Sequence, residues 1–244
     1  MIDLSMSGRT VVVTGGSAGI GNGIARIFAA QGAAVHVTGT RARADEYDGV
    51  DGSDLDGLQY HRLDVTQADD VRDFLVGTSV DVLVNSVGTV AYGRAEYDPA
   101  IFERVVDVNL NGIMRCCVRF RPELAAAGGA IVNVASTSSF IATPGQPAYS
   151  ASKGGLVTLT RSLADAWAVE GIRVNAVAPG LVATRLTRVS REREQVYEES
   201  IRSIPLRRWG TPAEMGSVAL FLASPLASYI TGQVVVVDGG LTLR

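Results

Sequence analysis

Two hydrophobic periods follow each other in turn along this chain. Thr10–Thr14 (TVVVT) is a β-branched run of the kind that forms a strand covered on both faces. After a glycine-rich turn, Ile20, Ile24, Ile27 and Phe28 recur at helical spacing and predict a helix over 20–30. Gly32 stops that helix, and Ala34–Thr38 (AVHVT) reads as a second strand. The same reasoning predicts strands over 58–65, 80–85, 130–135, 172–178 and 233–237. It predicts helices over 67–76, where Val71, Phe74 and Leu75 share a face, over 101–127 and over 147–169. The stretch 41–57 has no period and carries Asp45, Glu46, Asp48, Asp51, Asp54 and Asp56, so it reads as a solvated surface loop.

Strands separated by helices imply βαβ units, hence an α/β fold with a parallel sheet and helices on both faces. No internal repeat and no proline- or serine-rich linker interrupts the alternation. The expectation is one domain over 1–244.

Composition narrows the function classes. With 47% hydrophobic and 19% charged residues, a 244-residue chain can bury a large core. A net charge of −3 offers no basic footprint for nucleic acid or an anionic membrane surface. No apolar run reaches the roughly 18 residues of a membrane span, and Met1–Arg9 lacks a signal-peptide pattern. Cys116 and Cys117 are adjacent, a poor arrangement for a structural disulfide, so a reduced cytoplasmic protein is expected. His36 and His61 have no thiolate or carboxylate at ligand spacing; ordinary packing is expected and no metal site. Among 22 basic residues Lys153 is the only lysine, a count that by itself assigns it nothing.

Candidate chemistry lies in two places. Thr14-Gly15-Gly16-Ser17-Ala18-Gly19-Ile20-Gly21 joins the first strand to the first helix. Backbone N–H groups and the helix dipole favour a pyrophosphate at such a junction, and glycines permit its close approach. The string is common at this glycine content; its position between strand and helix points to dinucleotide binding rather than a structural turn. The second signal is Tyr149-x-x-x-Lys153, an i, i+4 pair that puts a phenol and an ammonium on one helix face. Lowering a tyrosine from its reference pKa to neutrality takes about 3 units, or ~4 kcal/mol. An exposed pair cannot supply that, so the reading needs a desolvated cleft and a second positive charge, which an oxidised nicotinamide provides. In isolation such a pair is more often an ordinary surface contact.

Here it is not isolated. Asn85-Ser86-Val87-Gly88, Asn109 in Val108-Asn109-Leu110-Asn111-Gly112, Ser136, Ile172-Arg173-Val174-Asn175, Pro179-Gly180 and Asp238-Gly239-Gly240 follow in order. In this joint order and spacing the chain resembles the short-chain dehydrogenase/reductase family in its compact single-domain form, over essentially its whole length. The resemblance implies a Rossmann-like, doubly wound sheet of seven strands in order 3-2-1-4-5-6-7. It implies an NAD(P) cofactor and reversible hydride transfer to or from a secondary alcohol or ketone. Tyr149 then resembles the general acid/base and Ser136 the hydroxyl that polarises the carbonyl. Lys153 would hold the nicotinamide ribose and depress the pKa of Tyr149, and Asn109 would hold a relay water. Gly15, Ser17, Gly19, Ile20 and Gly21 would surround the pyrophosphate and adjoining ribose, and Asp64 would contact adenine. Asn85 and Gly88 would line the nicotinamide side, and Pro179, Gly180 and Thr184 would hold the carboxamide. Family members of this kind commonly form tetramers, which makes a homo-oligomer the expected assembly.

Where an NAD-binding relative carries an acidic residue after its second strand, this chain has Gly39, followed by Thr40 and Arg41. The repelling carboxylate is missing, and Arg41, with Arg43 nearby, is placed to pair with a 2′-phosphate. NADP is therefore favoured over NAD, although Ala18 stands where many NADP-using relatives have a basic residue. The basic residues that carrier-protein ketoreductases place before strand five are absent from Leu124–Gly129; Arg119 and Arg121 lie earlier. The segment 181–208, with Arg185, Arg188, Arg191, Glu192, Arg193 and Glu194, reads as a solvated helix face or as a lid over an anionic substrate. A dinucleotide-sensing or partner-binding protein without catalysis remains the alternative on the same fold.

Overall fold

The computed structural model describes residues 4–188 and 192–243. A β-branched run without a polar face is stable only where both faces are covered, and the central strands show this. β1 (Thr10–Thr14) is buried throughout, and so are two strands later in the chain, β4 (Val82–Asn85) and β5 (Ala130–Val134). They sit mid-sheet, flanked by β2 (Ala34–Gly39) and β3 (Gln59–Arg62) on one side, and β6 (Arg173–Pro179) and β7 (Val234–Val237) on the other. All seven are parallel, in the order β3-β2-β1-β4-β5-β6-β7, as the resemblance implied.

Successive strand residues point to opposite faces, so the sheet feeds two cores. Val12, Leu83, Ile131 and Val174 meet α2 (Ala68–Asp73), α4 (Gly112–Ala127) and α5 (Pro147–Trp167). Val11, Val13, Val84 and Val132 meet α1 (Gly19–Ala30) and α7 (Pro212–Ala223).

Three expectations are corrected and one helix is added. The helix over 67–76 ends at Asp73, and Leu75 beyond it is exposed rather than part of the buried face. The helix over 101–127 starts at Pro99 and is interrupted: α3 (Pro99–Val106) continues through a π-helical turn, Asp107–Asn111, into α4. α7 was not read from the sequence because it is apolar nearly all round and has no stripe to detect. It packs so closely on α1 that a side chain at Gly216 would lie 2.7 Å from Ile27. Finally, the 41–57 stretch between β2 and β3 includes a 3₁₀ turn at Ala44–Tyr47 and is not simply solvated. The Gly52 carbonyl accepts the Gly19 N–H at 2.8 Å, and Asn22 bonds both the N–H and the carbonyl of Asp54 at 3.1 and 2.9 Å. Tyr47 within it is buried. Backbone contacts to the glycine-rich turn hold this loop, which hydrophobic periodicity cannot register. After β6 the chain passes through α6 (Glu194–Ser203); Arg191 lies outside the described residues.

His36 and His61 pair across β2 and β3, Nδ1 to Nε2 at 2.9 Å, with rings stacked at 5.1 Å. Among the described residues no group of three His, Cys, Asp or Glu side chains is placed to hold a metal ion. Cys116 and Cys117 are free and buried. No helix among those residues is long and apolar enough to cross a membrane.

Candidate active site

The carboxyl ends of the parallel strands open into a cleft of about 1280 Å³. That exceeds the roughly 300–1,000 Å³ of a site for one small molecule, and leaves room for an extended ligand with a second molecule beside it.

One end is built by the turn between β1 and α1. Gly15 adopts φ +71°, and a Cβ there would lie 2.9 Å from the backbone of Val87; a Cβ on Gly21 would collide with the Gly15 carbonyl. The backbone therefore passes close under the cleft at the N-terminus of α1, the arrangement that accepts a pyrophosphate. Gly15, Ser17, Gly19, Ile20 and Gly21 all line the cleft. A dinucleotide fits this cradle, although the Gly19 N–H is engaged by Gly52 and leaves fewer free amides.

At the neighbouring corner, a side chain on Gly39 would run into the Tyr47 hydroxyl and Ser17. A phenol thus occupies the place where a carboxylate would stand. Arg41 lies over the Tyr47 ring at 4.7 Å and has no acidic partner among the described residues, whereas Arg43 is spent on Asp45 at 3.0 Å. Arg41 does not itself line the cleft; Thr40 and Tyr47 do. Asp64, just past β3, borders it with one carboxylate oxygen accepting from the N–H and hydroxyl of Thr66. Sequence reasoning missed Tyr47, because nothing local marks a tyrosine in an acidic loop as reaching back to a strand end.

The other end holds the candidate reacting groups. Tyr149 is in the first turn of α5 after Pro147, and Lys153 follows one turn on, its Nζ 5.9 Å from the phenol ring centroid. Ser136, just past the end of β5, accepts the Ser138 N–H at 3.1 Å and faces the Tyr149 phenol across the cleft end. The three line the cleft together with Gly88, Pro179, Gly180 and Thr184. Lys153 is buried, donates to the Val134 carbonyl at 2.8 Å, and burial lowers its pKa to about 8. Tyr149 is shifted the other way. Burial raises its pKa, the nearby Ser136 hydroxyl opposes the rise, and Tyr92 and Glu96 add to it. Lys153 is not among the groups that shift Tyr149 here, because its ammonium is directed at the Val134 carbonyl.

Asn109 and Asn85 stand behind the wall. Asn109 sits in the π turn, a feature frequent at functional sites. Its Oδ1 accepts the Thr89 N–H at 2.8 Å, and its Nδ2 donates to the Thr89 carbonyl at 2.9 Å and the Ser152 hydroxyl at 3.1 Å. Ser152 in turn donates to the Tyr149 carbonyl at 2.7 Å, so Asn109 braces the tyrosine's own helical turn. Asn85 does not line the nicotinamide side with its side chain. That side chain is wholly buried in a polar chain running from Thr14 through Asn85 and Asn133 to Thr160. A strand residue of that parity faces the core, where an amide must find partners.

Two further contacts were not legible beforehand. Tyr92 donates its hydroxyl to the Leu186 carbonyl at 2.8 Å, tying the 88–97 segment to the 181–208 segment across the cleft mouth. The carboxylate of Glu96 is buried and accepts from the backbone N–H of Tyr149.

Comparison with known proteins places this geometry. A family model described as Enoyl-(Acyl carrier protein) reductase matches residues 15–242. The chain is 37% identical to a 3-oxoacyl-[acyl-carrier-protein] reductase of Chlamydia pneumoniae, over 99% of this chain and 100% of that one. It is 40% identical to a galactitol 2-dehydrogenase (L-tagatose-forming) of Cereibacter sphaeroides, over 98% and 96%. The solved structure of a putative NAD(P) dependent gluconate 5-dehydrogenase from Beutenbergia cavernae, with bound NADP, superposes with a TM-score of 0.89 at 38% identity over all of both chains. The chain belongs to the short-chain dehydrogenase/reductase family, NAD(P)-dependent oxidoreductases that move hydride between a nicotinamide and an alcohol or carbonyl carbon.

Proposed function

We propose that the chain reversibly reduces a ketone to a secondary alcohol on a free small molecule, with NADP(H) as the preferred carrier. The carrying observation is that Ser136, Tyr149 and Lys153 line the same end of one cleft, with the Lys153 ammonium 5.9 Å from the phenol ring centroid. Bound at that end of the cleft, the nicotinamide supplies or accepts the hydride. Ser136 donates to the substrate oxygen where negative charge develops. Tyr149 gives that oxygen a proton in reduction and removes one in oxidation. Lys153 holds the nicotinamide ribose, and Asn109 keeps one Oδ1 lone pair for a relay water. Gly88 and the backbone beside Asn85 bound the nicotinamide, while Pro179, Gly180 and Thr184 hold its carboxamide. The glycine-rich turn binds the pyrophosphate, Asp64 the adenine and Arg41 the 2′-phosphate.

Two observations support a free substrate over a carrier-bound acyl group. Arg119 is engaged by Glu123 at 2.7 Å and by the Phe74 carbonyl at 3.0 Å. Arg121 is paired with Glu170 and lies over Trp167. Neither guanidinium is free for an acidic carrier. At the start of the 181–208 segment, Arg185 lines the cleft and has no acidic partner among the described residues, which favours a substrate carrying a carboxylate.

The reading includes one domain acting in the cytoplasm, consistent with two unpaired buried thiols. It also includes a homotetramer, supported by exposed Val118 on α4, and light scattering after size exclusion tests that assembly.

The activity is tested by screening ketones, polyols and aldonic acids for changes in nicotinamide absorbance. Tyr149→Phe is expected to lower kcat by roughly 10²–10⁴-fold while the NADP dissociation constant holds. Turnover that survives this substitution places the proton transfer elsewhere.

A further inference from the structure

Glu96 is fully buried, in the turn Ala95–Tyr97 ahead of α3, and pairs with no cation among the described residues. Both of its carboxylate oxygens accept from backbone. Oε1 takes the N–H of Ala91 at 3.0 Å, and Oε2 takes the N–H of Tyr149 at 2.9 Å. The Tyr149 amide is one of the first free N–H groups of α5, and Gln146 at the N-cap makes no side-chain cap. Glu96 therefore caps the helix from 53 residues upstream.

A serine or aspartate at position 146 would satisfy that end of the helix locally. Burying an ion costs several kcal/mol, so capping alone is a poor reason to place a carboxylate there. What the carboxylate adds is a second bond and a charge. The second bond ties the 88–94 wall of the cleft to the turn that carries Tyr149. The charge stands beside the phenol's backbone, inside a desolvated wall.

We infer that Glu96 is a positioning residue for proton transfer at Tyr149, fixing the turn that carries the phenol against the cleft wall. The inference rests on the proton-transfer reading of Tyr149 given above. Other groups face the phenol: the Lys153 ammonium one turn on, the Ser136 hydroxyl from β5, and the Tyr92 phenol from the cleft wall. Beyond Glu96, Tyr97 and Glu103 line the groove on its far side. Of these, Glu96 is the one carboxylate bonded to the tyrosine itself. Tyr149 is raised in this setting by burial first, with Tyr92 and Glu96 contributing.

The test is a tyrosinate absorbance titration of the full chain with bound oxidised cofactor, taking the difference from Tyr149→Phe to isolate one phenol. Glu96→Gln removes the charge and one of the two bonds. Its Tyr149 step is expected to move toward acid by about half a unit or more, and kcat to fall roughly tenfold. A Glu96→Gln protein with an unmoved step and unchanged kcat overturns the inference. Glu96→Asp keeps the charge but shortens the reach, so its step should stay put while kcat falls several-fold; a moved step or an unchanged kcat overturns it equally. That variant decides the matter if Glu96→Gln does not fold. The titration needs no substrate, so survival of turnover in Tyr149→Phe defeats the proposed role of Tyr149 without touching the titration result.

Discussion

Lys153 illustrates how much a single side chain is asked to do. It is buried, with its ammonium on the Val134 carbonyl at 2.8 Å and 5.9 Å from the tyrosine ring centroid. A guanidinium is planar, larger, and presents its donors in a fixed fork, so charge alone does not replace it. Lys153→Arg is therefore expected to lower kcat/KM by roughly two orders of magnitude, about 2.7 kcal/mol of barrier. Steady-state rates with either carrier check this; an Arg variant within a few-fold of the parent would mean that charge is enough. The chain's 22 basic residues include this one lysine, and chemistry gives a reason for where it stands. Tyr149 and Lys153 could be read from four-residue spacing because both sit on one regular helix. Glu96 and Tyr47 could not, because each acts through a loop whose path no periodicity describes.

At the level of elements, the turn of α5 that carries Tyr149 is held from several sides. Ser152 and Asn109 brace it through the π turn, Glu96 caps it, and Ser136 meets it from β5. The sequence showed an apolar run over 101–127 but not its interruption, since one extra residue in a helical turn barely disturbs the hydrophobic pattern. The β2–β3 pair carries a different consequence. His36 and His61 both have lowered pKa values, His36 through burial and then through His61, and His61 through burial. The unfolded chain takes up protons near pH 6.5 while the folded pair resists them, so this contribution to stability is present above about 6.5. It is lost as pH falls through the lower folded values. Urea midpoints at pH 7.5 and 5.5 should show that loss, and His61→Gln should flatten it. An equal slope in the variant would assign the acid sensitivity to other groups.

For the molecule as a whole, the cleft exists only because seven parallel strands end on one side and their following loops diverge there. A dinucleotide bound along it touches the β1–α1 turn, the end of β5 and the start of α5 together, so binding should stabilise the whole fold. At a hundred times its dissociation constant the carrier adds about 2.7 kcal/mol, read as a rise in Tm. NADP should raise Tm more than NAD at equal concentration, and Arg41→Ala should remove the difference. A larger rise with NAD would reverse the assignment of Arg41.

The sequence by itself determined the strand–helix alternation, the parallel sheet, the glycine turn for a pyrophosphate and the Tyr149–Lys153 pair. Each of these is written in spacings of a few residues, where backbone geometry dictates what the neighbours do. Only the tertiary structure decided that Asn85 turns inward, that Tyr47 closes the corner at Gly39, and that Glu96 grips the turn carrying Tyr149. Those contacts join positions far apart in the chain, and which loop reaches which strand end is settled by packing of the assembled sheet rather than by any local pattern.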